Sequence, residues 1–285
     1  MDSPPRLDTS PQPVKPTPGR GTWAVFLILM VGYILAAAWR GTSPSPDGPA
    51  LASSVGGLMS DTLVALLVFG VPFAIGVLLT KPCQDDLYLR LPRNWLLTCT
   101  LGAAWSVVLR LAIMVPAAIV AGIMISLNRQ EGLNQFAANR PKIENLLDPS
   151  ALGNPVYALL CMTWLSFIVA GLREELWRAA VIRGICTLGG GFLSERKLEC
   201  VAVFVSSLLF GLAHLTQGWL GVLLTSLLGL GLGLIQILRR SLPEAILAHG
   251  FFDASTFFLI FLLHQKELLA RMGINLDLMK QVFPR

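Results

Sequence analysis

Charge is the scarcest resource of this chain: Asp, Glu, Lys and Arg make up 14% of its 285 residues, against about 25% in soluble domains. A soluble fold of this size is thereby excluded, and the 54% hydrophobic content with a mean hydropathy of +0.66 says the same thing positively. The chain reads as a polytopic membrane protein of all-α class. Cysteine is sparse and unpaired in pattern: Cys83, Cys99, Cys161, Cys186 and Cys200 are odd in number and form no CxxC, so neither a disulfide framework nor a cysteine zinc site is indicated. They read as packing residues. No basic stripe interleaved with aromatics is present, which excludes nucleic acid as a partner. The net charge of +5 instead suits basic loops on the anionic face of a membrane. No two-fold internal repeat is visible, which argues against a coupled transporter.

What is abundant is apolar runs of spanning length. Met1–Gly21 holds six prolines and few apolar side chains, the composition of a disordered tail. Residues 22–285 then form the membrane domain. Trp23–Trp39 is followed by no small-residue cleavage site and reads as an uncleaved first span. A polar loop, Arg40–Pro49, leads to a second span at about Leu63–Thr80 and then to the charged loop Lys81–Arg93. Trp95–Leu127 exceeds the roughly 20 residues that a spanning helix needs. It is expected to combine an interfacial turn with one tilted helix, Pro116 marking a kink and Arg110 a polar face. Arg110 either pairs with a carboxylate elsewhere or caps a neighbouring carbonyl. Asn128–Asn154 is the longest loop and is expected to carry a short surface helix. Span four runs from about Pro155 to Ile185, broken by Gly189–Gly191, and spans five to seven fall at Val201–Leu215, Trp219–Leu238 and Pro243–Leu263. Pro243 suits a first helical position, with Ser241 as cap.

With the N-terminus inside, eleven Lys and Arg outside the spans fall on the cytoplasmic side and eight on the other, the bias expected of short loops. Seven spans in a cell (inner) membrane, N-terminus cytoplasmic, is the topology this implies.

Span four contains the chain's least expected stretch, Gly171-Leu-Arg-Glu-Glu-Leu-Trp-Arg178. Burying its four ionisable groups in hydrocarbon would cost roughly 2.5 kcal/mol or more each. On a helix, Arg178 can hold Glu174 at i,i+4 or Glu175 at i,i+3. The carboxylate left over, desolvated and spare, would be a suitable general base. Two of the three histidines also lie in apolar helices: His214 in Phe210-Gly-Leu-Ala-His214, and His249 in His249-Gly-Phe-Phe-Asp253. Asp253, four residues after His249, would lie beside the imidazole or whatever the imidazole binds.

A Glu-Glu…Arg helix, then Phe-x-x-x-His, then His-x-x-x-Asn/Asp resembles the CPBP family of intramembrane proteases, which includes type II CAAX prenyl endopeptidases and bacterial Abi proteins. The resemblance covers roughly Leu159–Leu263, so the catalytic core would be about residues 155–264. It implies that Glu174 activates a water and Glu175 supports it. It further implies that His214 and His249 bind the water and polarise the oxyanion, that Asp253 fills the Asn/Asp place, and that Arg178 is supporting. The implied activity is peptide-bond hydrolysis as a glutamate- or metallo-endopeptidase, the partners being the lipid bilayer and a peptide or prenylated protein substrate. The chain departs from the pattern in one place, since two residues rather than three separate the Glu pair from Arg178. If the arginine sets the alignment, the pair falls on Arg173 and Glu174. Helical geometry favours Glu174 as the central residue, because it shares a face with Arg178, Ala170 and Gly171.

A zinc ion on His214, His249 and Glu174 would meet the three-ligand rule of catalytic sites. Without His-Glu-x-x-His the reading leans to no cofactor. The alternative function is a non-catalytic scaffold or bacteriocin self-immunity factor of the same fold, with the polar residues as interhelical hydrogen bonds. Depth adds a constraint: for His214 to meet Glu174, span five must start as helix near Ser194–Glu199 and end in the membrane at Leu215–Gly218, lining a cavity open to the cytoplasm.

Overall fold

The computed structural model describes residues 19–42, 49–127, 131, 134 and 141–265. Seven long helices follow one another: α1 (Arg20–Thr42), α2 (Val55–Thr80), α3 (Trp95–Leu127), α4 (Pro155–Gly189), α5 (Glu195–Leu212), α6 (Gly218–Arg239) and α7 (Leu242–His264). The architecture is the expected all-helical bundle. Among the described residues six of the seven are long and apolar enough to cross a membrane. The exception is α5. Glu195, Arg196, Lys197 and Glu199 in its first turns keep it from qualifying, which corrects the expected seven spans to six plus one partly solvated helix. The Pro-rich stretch before Gly19 and the chain after Gln265 lie outside the described residues, as does most of the loop from 128 to 140.

Local chemistry explains most of the boundaries. Ser54 accepts from Gly57 N and starts α2 eight residues ahead of the apolar run that marks it in sequence. Asn154 caps α4 by accepting from Val156 N and Tyr157 N, with Pro155 in the first turn. Ser241 caps α7 at Glu244 N, again with proline in the first turn, as the sequence predicts. Gly190 ends α4. One expectation is corrected. α3 is a single helix from Trp95, without an interfacial turn, and continues through Pro116. In the long loop before α4, residues 131 and 134 are helical, in line with the expected short helix, most of which lies outside the described residues, and 3₁₀ turns follow at Ile143–Asn145 and Pro149–Gly153.

α4 changes character along its length. Cys161–Leu172 is a π-helix between two α-helical stretches, and Ser166 donates to the carbonyl five residues back, Cys161 O, at 2.7 Å. Such i→i+5 turns recur at functional sites. Here the π stretch ends immediately before Arg173. Its Gly171 faces α7: a Cβ there would sit 2.9 Å from Ile246 O. The missing side chain lets the two backbones approach, and three residues further along each helix stand Glu174 and His249.

The two ends of the bundle differ. At one, Arg20 bonds Gly190 O (2.6 Å), Arg183 pairs with Asp86 (2.7 Å), Arg240 pairs with Glu199 (2.5 Å) and Leu242 N bonds Tyr88 O (2.8 Å). Burial, then the neighbouring Glu199, pushes the Tyr88 phenol up to about 12, so it stays a neutral hydroxyl. Arg20, Arg183 and Arg240, three of the basic residues that topology counting assigned to one side, therefore gather at one end. At the opposite end, Lys142 N bonds Gln217 O (3.0 Å), Asn145 Nδ2 bonds Thr216 O (2.6 Å) and Leu51 N bonds Leu146 O (2.9 Å). The segment from Pro141 to Leu146 is thus strapped to the α5–α6 turn.

Candidate active site

The polar residues of the three motifs lie on α4, on α7 or just past the end of α5, and they meet between these helices. Glu175 and Arg178 are fully buried and paired on one helix turn. Glu175 Oε1 also takes a hydrogen bond from His249 Nδ1 (2.8 Å), and its Oε2 takes one from Gln236 Nε2 (2.8 Å). Because Glu175, saturated with donors, can only accept, the His249 proton sits on Nδ1. Nε2 then faces Glu174 Oε2 at 3.8 Å and Asp253 Oδ2 at 3.6 Å.

The structure decides between the two partners that the helical wheel leaves open to Arg178, and it corrects the expected spare carboxylate. Arg178 takes Glu175, not Glu174, and the remaining carboxylate is not spare: Arg173 holds Glu174 Oε1 at 2.5 Å. The short Glu-Glu-x-x-Arg spacing therefore works in this chain because the pair is made at i,i+3. Room for the Arg178 guanidinium comes from α6 and α5. A Cβ on Gly229 would lie 3.5 Å from Arg178 NH2, one on Gly233 3.6 Å from its Cδ, and the ring of Phe210 stacks 4.5 Å from the guanidinium carbon.

His214 ends α5 in the turn before a 3₁₀ segment, Leu215–Gln217. Its Nδ1 lies 2.9 Å from Phe210 O, and since a carbonyl only accepts, Nδ1 carries the proton here as well. The helix begins at Glu195 and stops at Leu212, as the depth argument required. Phe210 touches both imidazoles, with ring centroids 4.8 Å from His214 and 6.0 Å from His249.

Glu174, His214, His249 and Asp253 line one cavity of about 440 Å³, together with Arg173. Its other walls come from Tyr33, Ala37, Thr62, Ile143 and Gln217, all in the halves of the helices remote from the basic end or in the strap. The separate cavity at the basic end, about 330 Å³, shares no lining residue with it. The reason is packing: Trp177, Ala179, Ala180, Val181 and Ile182 fill the space between site and basic end at 0–1% exposure. The cavity therefore runs along the bundle away from the basic end.

Three residues that the motifs gave no role join the site. Gln236 is the lone polar residue in its stretch of α6, a signal that could have found it. Arg173 sits inside the motif but was weighed only as an alignment partner. Among the described residues Arg110 contacts no carboxylate. It donates to Phe252 O (2.5 Å), Ser255 Oγ (2.7 Å) and Thr256 Oγ1 (2.9 Å) and stacks on Phe252, clamping the turn of α7 that carries Asp253.

The lone pairs turned into the cavity, on Glu174 and on the Nε2 atoms of the two histidines, are the right chemistry for a cation. Their spacing is not: among the described residues no group of three His, Cys, Asp or Glu is arranged to hold a metal ion. No step below is routed through one.

Six spanning helices around a buried cluster of ionisable residues define an integral membrane protein with an intramembrane polar site. Residues 156–255 match the family described as type II CAAX prenyl endopeptidase Rce1-like. That match bears out the CPBP resemblance carried by the motifs, and with it the intramembrane-protease fold. No curated protein and no solved structure matches the chain.

Proposed function

We propose that the protein is an endopeptidase that cuts a peptide bond of a membrane-associated substrate, with Glu174 as the general base. The observation that carries this reading is the division of labour on α4. One glutamate is buried and saturated by Arg178, His249 and Gln236, while its neighbour faces the cavity 3.8 Å from the imidazole that the first one orients. A water held between Glu174 Oε2 and His249 Nε2 can donate one proton to each, since a bridging water spans that distance. Glu174 takes a proton as the water oxygen bonds to the scissile carbonyl carbon, and returns it to the leaving nitrogen as the C–N bond breaks.

The oxyanion needs a donor. The Arg173 guanidinium on the cavity wall carries donors at any working pH and is the oxyanion donor of this reading. Its tie to Glu174 weakens as the carboxylate gains a proton, which frees it for the developing charge.

Cleavage of prenylated and unprenylated peptides by membranes carrying the wild type, Glu174→Gln or His249→Ala tests the reading. Each variant should lose about a hundredfold or more in rate while folding normally. Normal turnover in Glu174→Gln would remove the base and sink the assignment.

A further inference from the structure

Resting on the endopeptidase reading, we propose that Gln236 is a positioning residue of the reaction: its amide locks the rotation of the Glu175 carboxylate, and the locked carboxylate holds the His249 ring with Nε2 towards Glu174. Gln236 is not among the residues that line the cavity, so it acts through its partners and not on the substrate.

The setting of Gln236 is that of a residue with a task. It stands three residues before Arg239, where α6 ends, so its side chain has the polar end of the bundle within a turn's reach. It is nonetheless fully buried and turned to α4. There its amide makes two contacts with one residue: Nε2 donates to Glu175 Oε2 at 2.8 Å and to the Glu175 main-chain carbonyl at 3.2 Å. A carboxylate and a carbonyl only accept, so the NH2 side of the amide is the side that faces them. The amide oxygen has no partner among the described residues. Leaving a buried acceptor unmade is costly, and the side chain keeps this orientation because its donor is held by Glu175.

The Glu175 end of the contact explains what the donor does. Oε1 receives both Arg178 NH1 and His249 Nδ1, the latter at 2.8 Å, while among the described residues Oε2 receives Gln236 alone. Arg178 has two further donors, Nε and NH2, buried without an acceptor among the described residues. Arginine and carboxylate favour the two-toothed pairing in which both oxygens meet the guanidinium fork. Rotation of the carboxylate towards that pairing would carry Oε1 away from His249. An amide anchored at once to the side chain and to the backbone of Glu175 stops the rotation. α6 provides room for this as well, since Gly229 and Gly233, at helical spacing from Gln236, leave the Arg178 side chain its place.

His249 is where the lock matters. With Nδ1–H held by Glu175, Nε2 is a bare acceptor 3.8 Å from Glu174 Oε2, the place of the attacking water. Were Oε1 to turn away, nothing would keep the proton on Nδ1, and a ring protonated on Nε2 would donate to Glu174 instead of accepting from the water.

The test reads the imidazole and the reaction separately. The full chain in detergent, isotopically labelled on its histidine ring nitrogens, is measured by NMR. The chain has three histidines, and the spectrum of His249→Ala assigns the signals of His249. Gln236→Met keeps the length of the side chain and removes the donor, and Gln236→Asn keeps an amide but draws it back by one methylene. The wild type should show a protonated Nδ1 and a bare Nε2. In both variants the His249 signals should move towards the Nε2-protonated form, and kcat for peptide cleavage should fall about ten- to a hundredfold with KM within about twofold. An unchanged His249 spectrum or an unchanged kcat in folded variants overturns the proposal, as does a rise in KM alone, which would put Gln236 at the substrate. Loss of monodisperse protein in both variants overturns it too, by making Gln236 a residue of the fold only. The two readings fail separately. The spectrum needs no substrate, so a wild type that cleaves nothing would remove the endopeptidase reading and leave the coupling of Gln236 to His249 standing on the spectrum. Normal cleavage by the Gln236 variants, with Glu174→Gln inactive, would remove the positioning role and leave the protease.

Discussion

Two adjacent glutamates of identical intrinsic chemistry are driven apart by their neighbours. Glu175 is enclosed by three donors at zero exposure, which makes it a positioning residue for His249, while Glu174 keeps one oxygen turned to the cavity. Breaking a buried pair from one side leaves a charge uncompensated, at roughly 3–5 kcal/mol. Glu175→Gln and Arg178→Ala should therefore each lower the yield of monodisperse protein in detergent as well as activity. The double variant Glu175→Gln with Arg178→Met removes the charge conflict and should recover yield without recovering activity, since His249 has lost its carboxylate. Recovery of both would show that Glu175 is structural only. Arg173 tests differently: if it is the oxyanion donor, Arg173→Met should cost about a hundred- to a thousandfold in kcat with KM little changed. A pure KM effect would assign it to substrate binding instead.

At the scale of elements, the site depends on how closely α4 approaches α7. The 2.9 Å between a hypothetical Cβ on Gly171 and Ile246 O leaves no room for a side chain backed by backbone. Gly171→Val should push the helices apart, costing about 1–3 kcal/mol of overpacking, and a shift of about 1 Å between Glu174 and His249 should cost about a hundredfold in rate. Gly171→Ala should fall between valine and wild type, and an active, well-expressed Gly171→Val would show that the two helices can adjust. α3 contributes by a different route. Arg110 spends its cation on a carbonyl and two hydroxyls of α7, and this gives a mid-span arginine a use without an opposing carboxylate in contact.

For the whole molecule, the ends are held by ion pairs of different exposure. Arg183 is close to half exposed where it meets Asp86, so Arg183→Ala should change stability by no more than about 1 kcal/mol, the range of solvated pairs. A detergent thermal melt checks this, and a large drop would mean that the Asp86 connection governs the fold. Arg20 is tied to Gly190 O, so truncation should stop short of it. Removing residues 1–18 should leave cleavage within a few-fold, since a Pro-rich polar stretch has little apolar surface to bury. Complete loss of activity would assign that stretch a function of its own.

The sequence by itself determined what depends on neighbours along the chain. Apolar run lengths placed the six crossing helices, though they also counted α5 as a seventh, and Ser241 with Pro243 began α7 and the glycines at 189–191 ended α4, because hydropathy and capping are local. The ordered trio of motifs likewise marked the residues that meet, and the charges at Glu195–Glu199 showed that α5 starts in water. Only the tertiary structure decided the rest. A helical wheel leaves Arg178 free to take Glu174 or Glu175, and the choice fell to Glu175 because α6 and α7 bring Gln236 and His249 to it. Arg173 became the partner of the other glutamate, and Arg110 found its acceptors on a helix more than a hundred residues away. The direction of the cavity was settled in the same way. Where a void runs depends on which helix halves fail to touch, and that is a property of three-dimensional packing to which no periodicity in a single chain corresponds.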